Sequence, residues 1–321
     1  MTAMARSRPF TQLDVFTDTP FFGNPLAVVL DGSGLSDEEM QRFARWTHLS
    51  ETTFVLPATE AGADYQVRIF TPGGELGFAG HPTLGTCHAW LAAGNAPKNR
   101  NLVVQQCKVG LVRIRRNAGE ANSLAFEAPP LRRSSPSPTV LAKVAAALGL
   151  KAHQVIAAQM LDNGTTWLGL LLEDADTVLA LSPDHRVLKD IGLKIGVAGL
   201  PTATLDEAPA LIGRSNREAR AFAGGAGRSG KQHALPPACT ADLEVRAFAA
   251  ATGIDEDPVT GSLNASLAQW LIADDRMPLS YVAAQGQCLG RDGRVRIERD
   301  ESGQVWVGGA SVICIDGHAT L

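Results

Sequence analysis

The sequence has few cysteines, and none of them forms a recognisable redox or metal-binding motif. Five are scattered along 321 residues, and no two are spaced as a CxxC pair. An odd number of isolated thiols argues against a disulfide framework and against structural zinc. We therefore expect reduced thiols and a cytoplasmic protein. The five are Cys87, Cys107, Cys239, Cys288 and Cys314.

Long apolar runs and a strong charge of either sign are also missing. A formal net charge of −4 gives no electrostatic reason to expect nucleic acid or a membrane surface as a partner. No segment approaches the roughly 18 apolar residues of a transmembrane helix, and we expect no signal peptide. The seven histidines are dispersed and show no metal-ligand spacing.

One short phrase occurs twice, about half the chain apart. Residues 67–70 (VRIF) lead to residues 81–86 (HPTLGT), and residues 245–248 (VRAF) lead to residues 257–262 (DPVTGS). Each copy is typical of a strand, a turn, a polar residue, a proline and a helix. The duplication predicts two similar domains, each with a helix N-terminus, and paired helix N-termini form a natural anion site.

The polar residue before each proline differs, being His81 in one copy and Asp257 in the other. We therefore expect an asymmetric site between the two halves. The alternative is that each residue only caps its helix, since Asp is a good N-cap residue. If both face one ligand, the hydroxyls of Thr86 and Ser262 could hold a carboxylate together with backbone N–H groups.

The remaining pattern predicts many strands with one long helix in each half, which is an α+β protein. Ser36 is expected to cap a helix that ends near Trp46, and the repeat helices are expected over residues 82–93 and 258–272. Residues 132–139 are rich in Ser, Thr and Pro, which favours a linker. We therefore predict domains 1–130 and 131–321, with the last strand returning to the first. Residues 201–240 show no clear periodicity and favour a loop or partly disordered insertion.

Glu51 is the sharpest single candidate for catalysis. It lies between the end of a helix and an apolar strand, where partial desolvation raises a carboxylate pKa towards the range of a useful general acid or base. The alternative is an exposed or capping glutamate. Arg68 and Arg246 lie on alternating strands, and we interpret them as structural ion-pair partners.

Five motifs in order resemble the PhzF-like isomerases of the phenazine biosynthesis family. They are Phe22-Gly23-Asn24-Pro25, Leu49-Ser50-Glu51-Thr52-Thr53-Phe54, Phe70-Thr71-Pro72, Gly80-His81-Pro82-Thr83-Leu84-Gly85 and Glu256-Asp257-Pro258-Val259-Thr260-Gly261-Ser262. Gln285-Gly286 and Gly290-Arg291-Asp292-Gly293 fit as well. The resemblance implies a diaminopimelate-epimerase-like fold, in which two pseudo-symmetric domains each wrap a β-barrel around a central helix. The site then lies in the cleft between them.

The resemblance also implies roles for individual residues. The family's proton-shuttling glutamate corresponds to Glu51, its histidine to His81, its aspartate to Asp257 and its site serine to Ser262. Gly80, Gly261 and Asn24 are expected to contact the substrate. The resemblance implies no metal or organic cofactor, and a homodimer.

The related two-thiol epimerases and proline racemases would place cysteines near Ala79 and Asp257, and neither position is cysteine. The missing thiols argue against two-thiol racemisation. The resemblance thus predicts a cofactor-independent isomerase that moves a proton on a small carboxylate-bearing substrate. The alternatives are an epimerase or racemase of an amino-acid derivative, with Glu51 and Asp257 as a carboxylate pair, and a non-catalytic small-molecule-binding protein.

Overall fold

The first half of the chain builds a closed eight-stranded barrel. The structure, a computed structural model, describes residues 6–116, 123–201 and 241–321. Strands β1 to β4, β6 to β8 and the last strand, β17, follow one another around the ring, which closes where β17 pairs with β1. The first-half strands are β1 (Ser7–Val15), β2 (Asn24–Val29), β3 (Thr52–Leu56), β4 (Tyr65–Thr71), β5 (Gly74–Leu76), β6 (Leu102–Cys107), β7 (Gly110–Arg116) and β8 (Ser123–Glu127).

The second half repeats this order of pairings. Strand β11 runs parallel to β12, and β13 runs parallel to β15, as β2 does to β3 and β4 to β6. The second-half strands are β9 (Arg132–Ser134), β10 (Val155–Asp162), β11 (Thr166–Leu172), β12 (Lys194–Gly199), β13 (Leu243–Ala249), β14 (Ile254–Asp257), β15 (Ser280–Gln285), β16 (Gly293–Arg299) and β17 (Val305–Thr320).

Strand β17 joins the two halves. Its first residues pair with β16 and with β8, and residues 311–320 continue along β1. Over these 16 residues it is one unbroken strand. The predicted linker also contains structure, because β9 pairs with β10 and helix α3 begins at Pro138. The domain boundary at residue 130 stays a prediction.

Each barrel surrounds one long helix that is buried on all sides. Helix α2 (Gly80–Ala92) fills the first barrel and α6 (Gly261–Ala273) fills the second. Buried residues occur on every face of both helices, which is the pattern of an enclosed helix. This arrangement confirms the predicted fold class. The other helices are α1 (Asp37–Thr47), α3 (Pro138–Ala147), α4 (Ala175–Ala180) and α5 (His185–Ile191).

The two halves share a frame of buried polar contacts. Arg68 on β4 makes a two-pronged ion pair with Glu75, and Arg246 on β13 makes the same pair with Glu256. Each guanidinium also lies 5.0 Å from the ring of the phenylalanine two residues on. The interpretation of both arginines as structural ion-pair partners is confirmed.

The helices begin at other residues than the repeated phrase suggested. Helix α2 begins at Gly80, so Pro82 lies inside its first turn, where no N–H needs an intrahelical partner. Helix α6 begins at Gly261, and Thr260 rather than Asp257 holds the N-cap position. By helix position His81 therefore corresponds to Ser262, and the predicted equivalence of His81 with Asp257 is wrong.

The two helix starts make similar contacts inside the barrels. Three residues after each helix start, a polar side chain bonds to a glutamine of the neighbouring strand. Thr83 accepts from Gln105, and Asn264 donates to Gln285. Of the stretch from 201 to 240, only Pro201 lies within the described residues.

Candidate active site

A cleft of about 880 Å³ lies where the two helix starts meet. Gly80 and Gly261 abut so closely that a Cβ added to either one would lie 2.9 Å from the Cα of the other. Both positions therefore need glycine, and the close approach brings the N–H groups of two first turns to one cleft. All seven predicted site residues line it: Asn24, Glu51, Gly80, His81, Asp257, Gly261 and Ser262.

Glu51 reaches the cleft through a short connection after helix α1. The helix is held at its start by a capping box between Ser36 and Glu39, as predicted for Ser36. At its end His48 takes a left-handed conformation (φ 58°), which turns the chain towards the cleft. The hydroxyls of Thr47 and Thr52, 3.0 Å apart, close this connection on either side of Glu51.

Glu51 and His81 face each other without forming a hydrogen bond. Glu51 Oε2 lies 3.4 Å from His81 Nε2, and the two side chains are only 13% and 5% exposed. Neither atom has a hydrogen-bond partner among the described residues. Buried polar atoms are ordinarily satisfied, so this pair is available to a ligand.

The contacts of Asn24 define the protonation of His81. The Asn24 amide nitrogen donates to the Val259 carbonyl (2.7 Å) and to Asp257 Oδ1 (3.0 Å), which fixes the amide orientation. The same nitrogen lies 3.3 Å from His81 Nδ1, and since an amide nitrogen does not accept a hydrogen bond, this contact favours the tautomer in which Nδ1 is unprotonated. In that tautomer the proton of the neutral imidazole is on Nε2, facing Glu51.

Asp257 is held in the cleft by three neighbours. Thr260 donates its hydroxyl to Oδ2 (2.6 Å), Asn24 donates to Oδ1, and Gln285 donates to the backbone carbonyl (3.0 Å). These bonds order the bend between β14 and α6. Asp257 thus ends a strand beside the helix start, and the capping alternative is wrong for it.

Burial dominates the electrostatics of these groups. It raises the pKa of Glu51, against the opposing effects of the Ser50 hydroxyl and the Lys194 charge. It also raises the pKa of Asp257, and repulsion from Glu51 adds to this while His81, Thr260 and Asn24 oppose it. The pKa of His81 falls to about 4 because burial disfavours the imidazolium. His81 is therefore neutral at neutral pH.

The hydroxyl of Ser262 lies at the start of α6, in contact with the second barrel. Trp167 donates its indole N–H to Ser262 Oγ (3.2 Å), and Asn163 donates to the Ser262 carbonyl (3.0 Å). The Ser262 proton is thereby left for another acceptor. Thr86, the other hydroxyl suggested for carboxylate binding, is instead fully buried and donates to Thr53. It cannot contact a ligand in the cleft.

Among the described residues, no cysteine lines this cleft. Cys87 is buried within α2, where burial raises the pKa of its thiol to about 12. In the helix register the cap positions are Ala79 and Thr260, so neither start carries a thiol. Cys239 lies outside the described residues. Within the described ranges no three His, Cys, Asp or Glu side chains group as metal ligands.

Lys194 was not predicted from the sequence, yet it lines the same cleft. It is the first residue of β12, directly beside Trp167 of β11 in the sheet. Burial lowers the pKa of Lys194, while Glu51 and Asp257 oppose that effect. No local sequence motif predicts Lys194 as a site residue, because pairing between distant strands places it in the cleft.

The model of the PhzC-PhzF family, described as phenazine biosynthesis-like protein, matches residues 13–317. The chain belongs to this family. It is 32% identical to the trans-2,3-dihydro-3-hydroxyanthranilate isomerase of Pseudomonas aeruginosa, over 97% of this chain and 99% of that protein. It is 33% identical to antisense-enhancing sequence 1 of Schizosaccharomyces pombe, over 97% and 98%.

Solved structures agree with the sequence relatives. The PhzF-family protein of Bacillus anthracis superposes with a TM-score of 0.76, at 22% identity, over 98% of this chain and 100% of that chain. This likeness shows the shared fold. Membership of an isomerase family identifies the chain as a PhzF-like isomerase. No helix in the described ranges has the length and hydrophobicity needed to cross a membrane.

Proposed function

We propose that the protein moves a proton between carbon atoms of a small carboxylate-bearing molecule without a cofactor, and that Glu51 carries the proton. The observation that supports this is the largely buried Glu51 carboxylate, whose Oε2 faces His81 Nε2 at 3.4 Å and has no hydrogen-bond partner among the described residues. The relative from Pseudomonas aeruginosa is named for an isomerisation of a cyclic amino acid. Its named substrate gives the first compound to test.

The geometry supports a two-step transfer. Glu51 removes a proton from one carbon, and the electron pair of that C–H bond delocalises into an adjoining π system. The resulting carboxylic acid exchanges its proton with solvent and then delivers a proton to a different carbon, so atoms and charge balance. A raised pKa suits both steps, because the ideal acid–base group titrates near the working pH.

The neighbouring groups orient this exchange. His81 presents an Nε2 proton that can donate to Glu51 or to a substrate oxygen, while Asn24 and Thr260 hold Asp257 in place. We propose that Gly80, Gly261 and Ser262 bind the substrate through first-turn N–H groups and the Ser262 hydroxyl. Helix N-termini favour anionic ligands.

A second candidate follows from the two buried carboxylates. Burial raises the pKa of both carboxyls and the charge of Glu51 raises that of Asp257 further, which would suit a pair working on opposite faces of one carbon. Such an enzyme would epimerise an amino-acid derivative. Its product would carry solvent hydrogen at an inverted stereocentre rather than at a second carbon.

Glu51→Gln tests the proposal. The variant keeps the shape and hydrogen bonding of the side chain but cannot accept a proton, so turnover should fall about 10²–10⁴-fold while ligand binding persists. The assay follows deuterium incorporation from D2O into trans-2,3-dihydro-3-hydroxyanthranilate and into small molecules that copurify with the protein. Glu60→Gln, an exposed glutamate outside the cleft, is the matched control.

Wild-type exchange that survives in Glu51→Gln would move the proton-carrying role to Asp257. Binding without exchange in the wild type would favour the non-catalytic alternative. We further propose a homodimer in the cytoplasm and a domain boundary near residue 130. Light scattering on purified protein and limited proteolysis test the first and last of these.

A further inference from the structure

Lys194 occupies in the second barrel the place that Glu51 occupies in the first. Thr52, the residue after Glu51, pairs with Phe70 of the first repeated phrase. Ile195, the residue after Lys194, pairs with Phe248 of the second. Since the two phenylalanines are equivalent, the strand registers make Glu51 and Lys194 counterparts across the cleft.

The helix register gives the same correspondence. Glu51 faces His81, the second residue of α2. Lys194 Nζ lies 5.5 Å from the centre of the Trp167 ring, and that indole donates to Ser262, the second residue of α6. Each barrel thus brings a charged side chain to the cleft near its own helix start, directly for Glu51 and through Trp167 for Lys194.

Lys194 makes no ion pair with any described residue, although the charges of Glu51 and Asp257 reach it across the cleft. Among the described residues no carboxylate lies within ion-pair distance of its Nζ atom, and no hydrogen bond holds it. Every other lysine or arginine is absent from the described lining of the cleft. A half-buried ammonium group is costly to leave unpaired, which points to a ligand that completes it.

We infer that Lys194 binds a carboxylate of the substrate together with the Ser262 hydroxyl and the start of α6. This inference rests on the proposed function and deepens it, because it assigns the anionic end of the substrate to the second barrel. The reacting carbon then lies towards Glu51. An uncharged analogue of the same shape lacks the group that Lys194 recognises.

The test compares binding of 3-hydroxyanthranilate, a stable aromatic carboxylate, with binding of its neutral amide by calorimetry. Lys194→Met should weaken carboxylate binding about 10- to 100-fold, since a charge-assisted contact is lost, and leave amide binding unchanged. Lys194→Arg should restore most of the difference. Lys143→Met, on the exposed face of α3, should bind both compounds like the wild type.

Three results would overturn the inference: equal carboxylate binding by Lys194→Met and the wild type, equal weakening of carboxylate and amide, or no saturable carboxylate binding by the wild type. Equal weakening would indicate that Lys194 acts only by tuning Glu51. Measuring solvent exchange in Glu51→Gln separates this failure from that of the proposed function. Loss of exchange in that variant supports Glu51 whatever Lys194 does.

Discussion

The starts of helices α2 and α6 have the same frame but carry different chemistry. At α2 a carboxylate, Glu51, faces an imidazole, His81; at α6 an ammonium group, Lys194, lies beside the indole that binds Ser262. The barrels and arginine pairs are shared. The comparison teaches that a duplicated frame can give an asymmetric site when only a few side chains at its meeting point differ.

The largest expected effect tests whether the two equivalent arginine ion pairs contribute equally to the free energy of unfolding. The Arg246 pair with Glu256 is almost fully buried, with side chains 6% and 7% exposed, whereas Arg68 and Glu75 are 20% and 22% exposed. Arg246→Met should therefore cost about 3–5 kcal/mol of the free energy of unfolding, and Arg68→Met about 1 kcal/mol. Urea unfolding measures both. Equal losses would show that burial does not distinguish the two pairs.

A smaller effect tests how closely the two helix starts must meet. Gly80→Ala places a Cβ 2.8 Å from the Phe126 ring and 2.9 Å from the Gly261 Cα, and overpacking of this kind costs about 1–3 kcal/mol. Gly317→Ala has open space around its Cβ and serves as the control. Unchanged stability and activity in Gly80→Ala would mean that the two halves can separate without loss.

The smallest effect tests the difference between His81 and its counterpart Ser262. The pKa of His81 is about 4 in the folded protein and near 6.5 when unfolded, so the unfolded chain binds more protons as the pH falls. His81 should therefore remove about 2 kcal/mol of stability between pH 8 and pH 5. The raised pKa values of Glu51 and Asp257 act in the opposite direction, because those groups hold protons more tightly when folded.

Urea unfolding at pH 8 and pH 5 measures this component. His81→Gln cannot be protonated, so it should lose less stability on acidification than the wild type. Ser262→Ala should show the wild-type dependence. Identical pH dependence in His81→Gln and the wild type would contradict the depressed pKa.

Local sequence predicted the parts of the site that local contacts determine. The capping box at Ser36 and the apolar strand after Glu51 defined where that carboxylate lies. The helix starts were misplaced because both copies show a proline followed by Gly and a hydroxyl. Pro82 is tolerated inside a first turn and Pro258 lies before one, so proline does not mark the same helix position in both copies.

Residues that reach the cleft through pairing of strands distant in the sequence were not predicted from the sequence. Lys194 and Trp167 enter the cleft because β11, β12 and β13 are neighbours in the second barrel. Strand order is a property of the whole chain, and no window around Lys194 contains it. The repeat in the sequence predicts Lys194 as a site residue only after the strand that Lys194 begins is aligned with the strand that follows Glu51.

Solvent exchange at saturating substrate tests most directly whether Glu51 transfers the proton while Lys194 only binds the substrate. We predict that Glu51→Gln loses deuterium incorporation about 10²–10⁴-fold at any substrate concentration, because the proton carrier is gone. Lys194→Met should regain near wild-type exchange once substrate saturates it, because only binding is weakened. Exchange that stays as low in Lys194→Met as in Glu51→Gln at saturation would contradict the account.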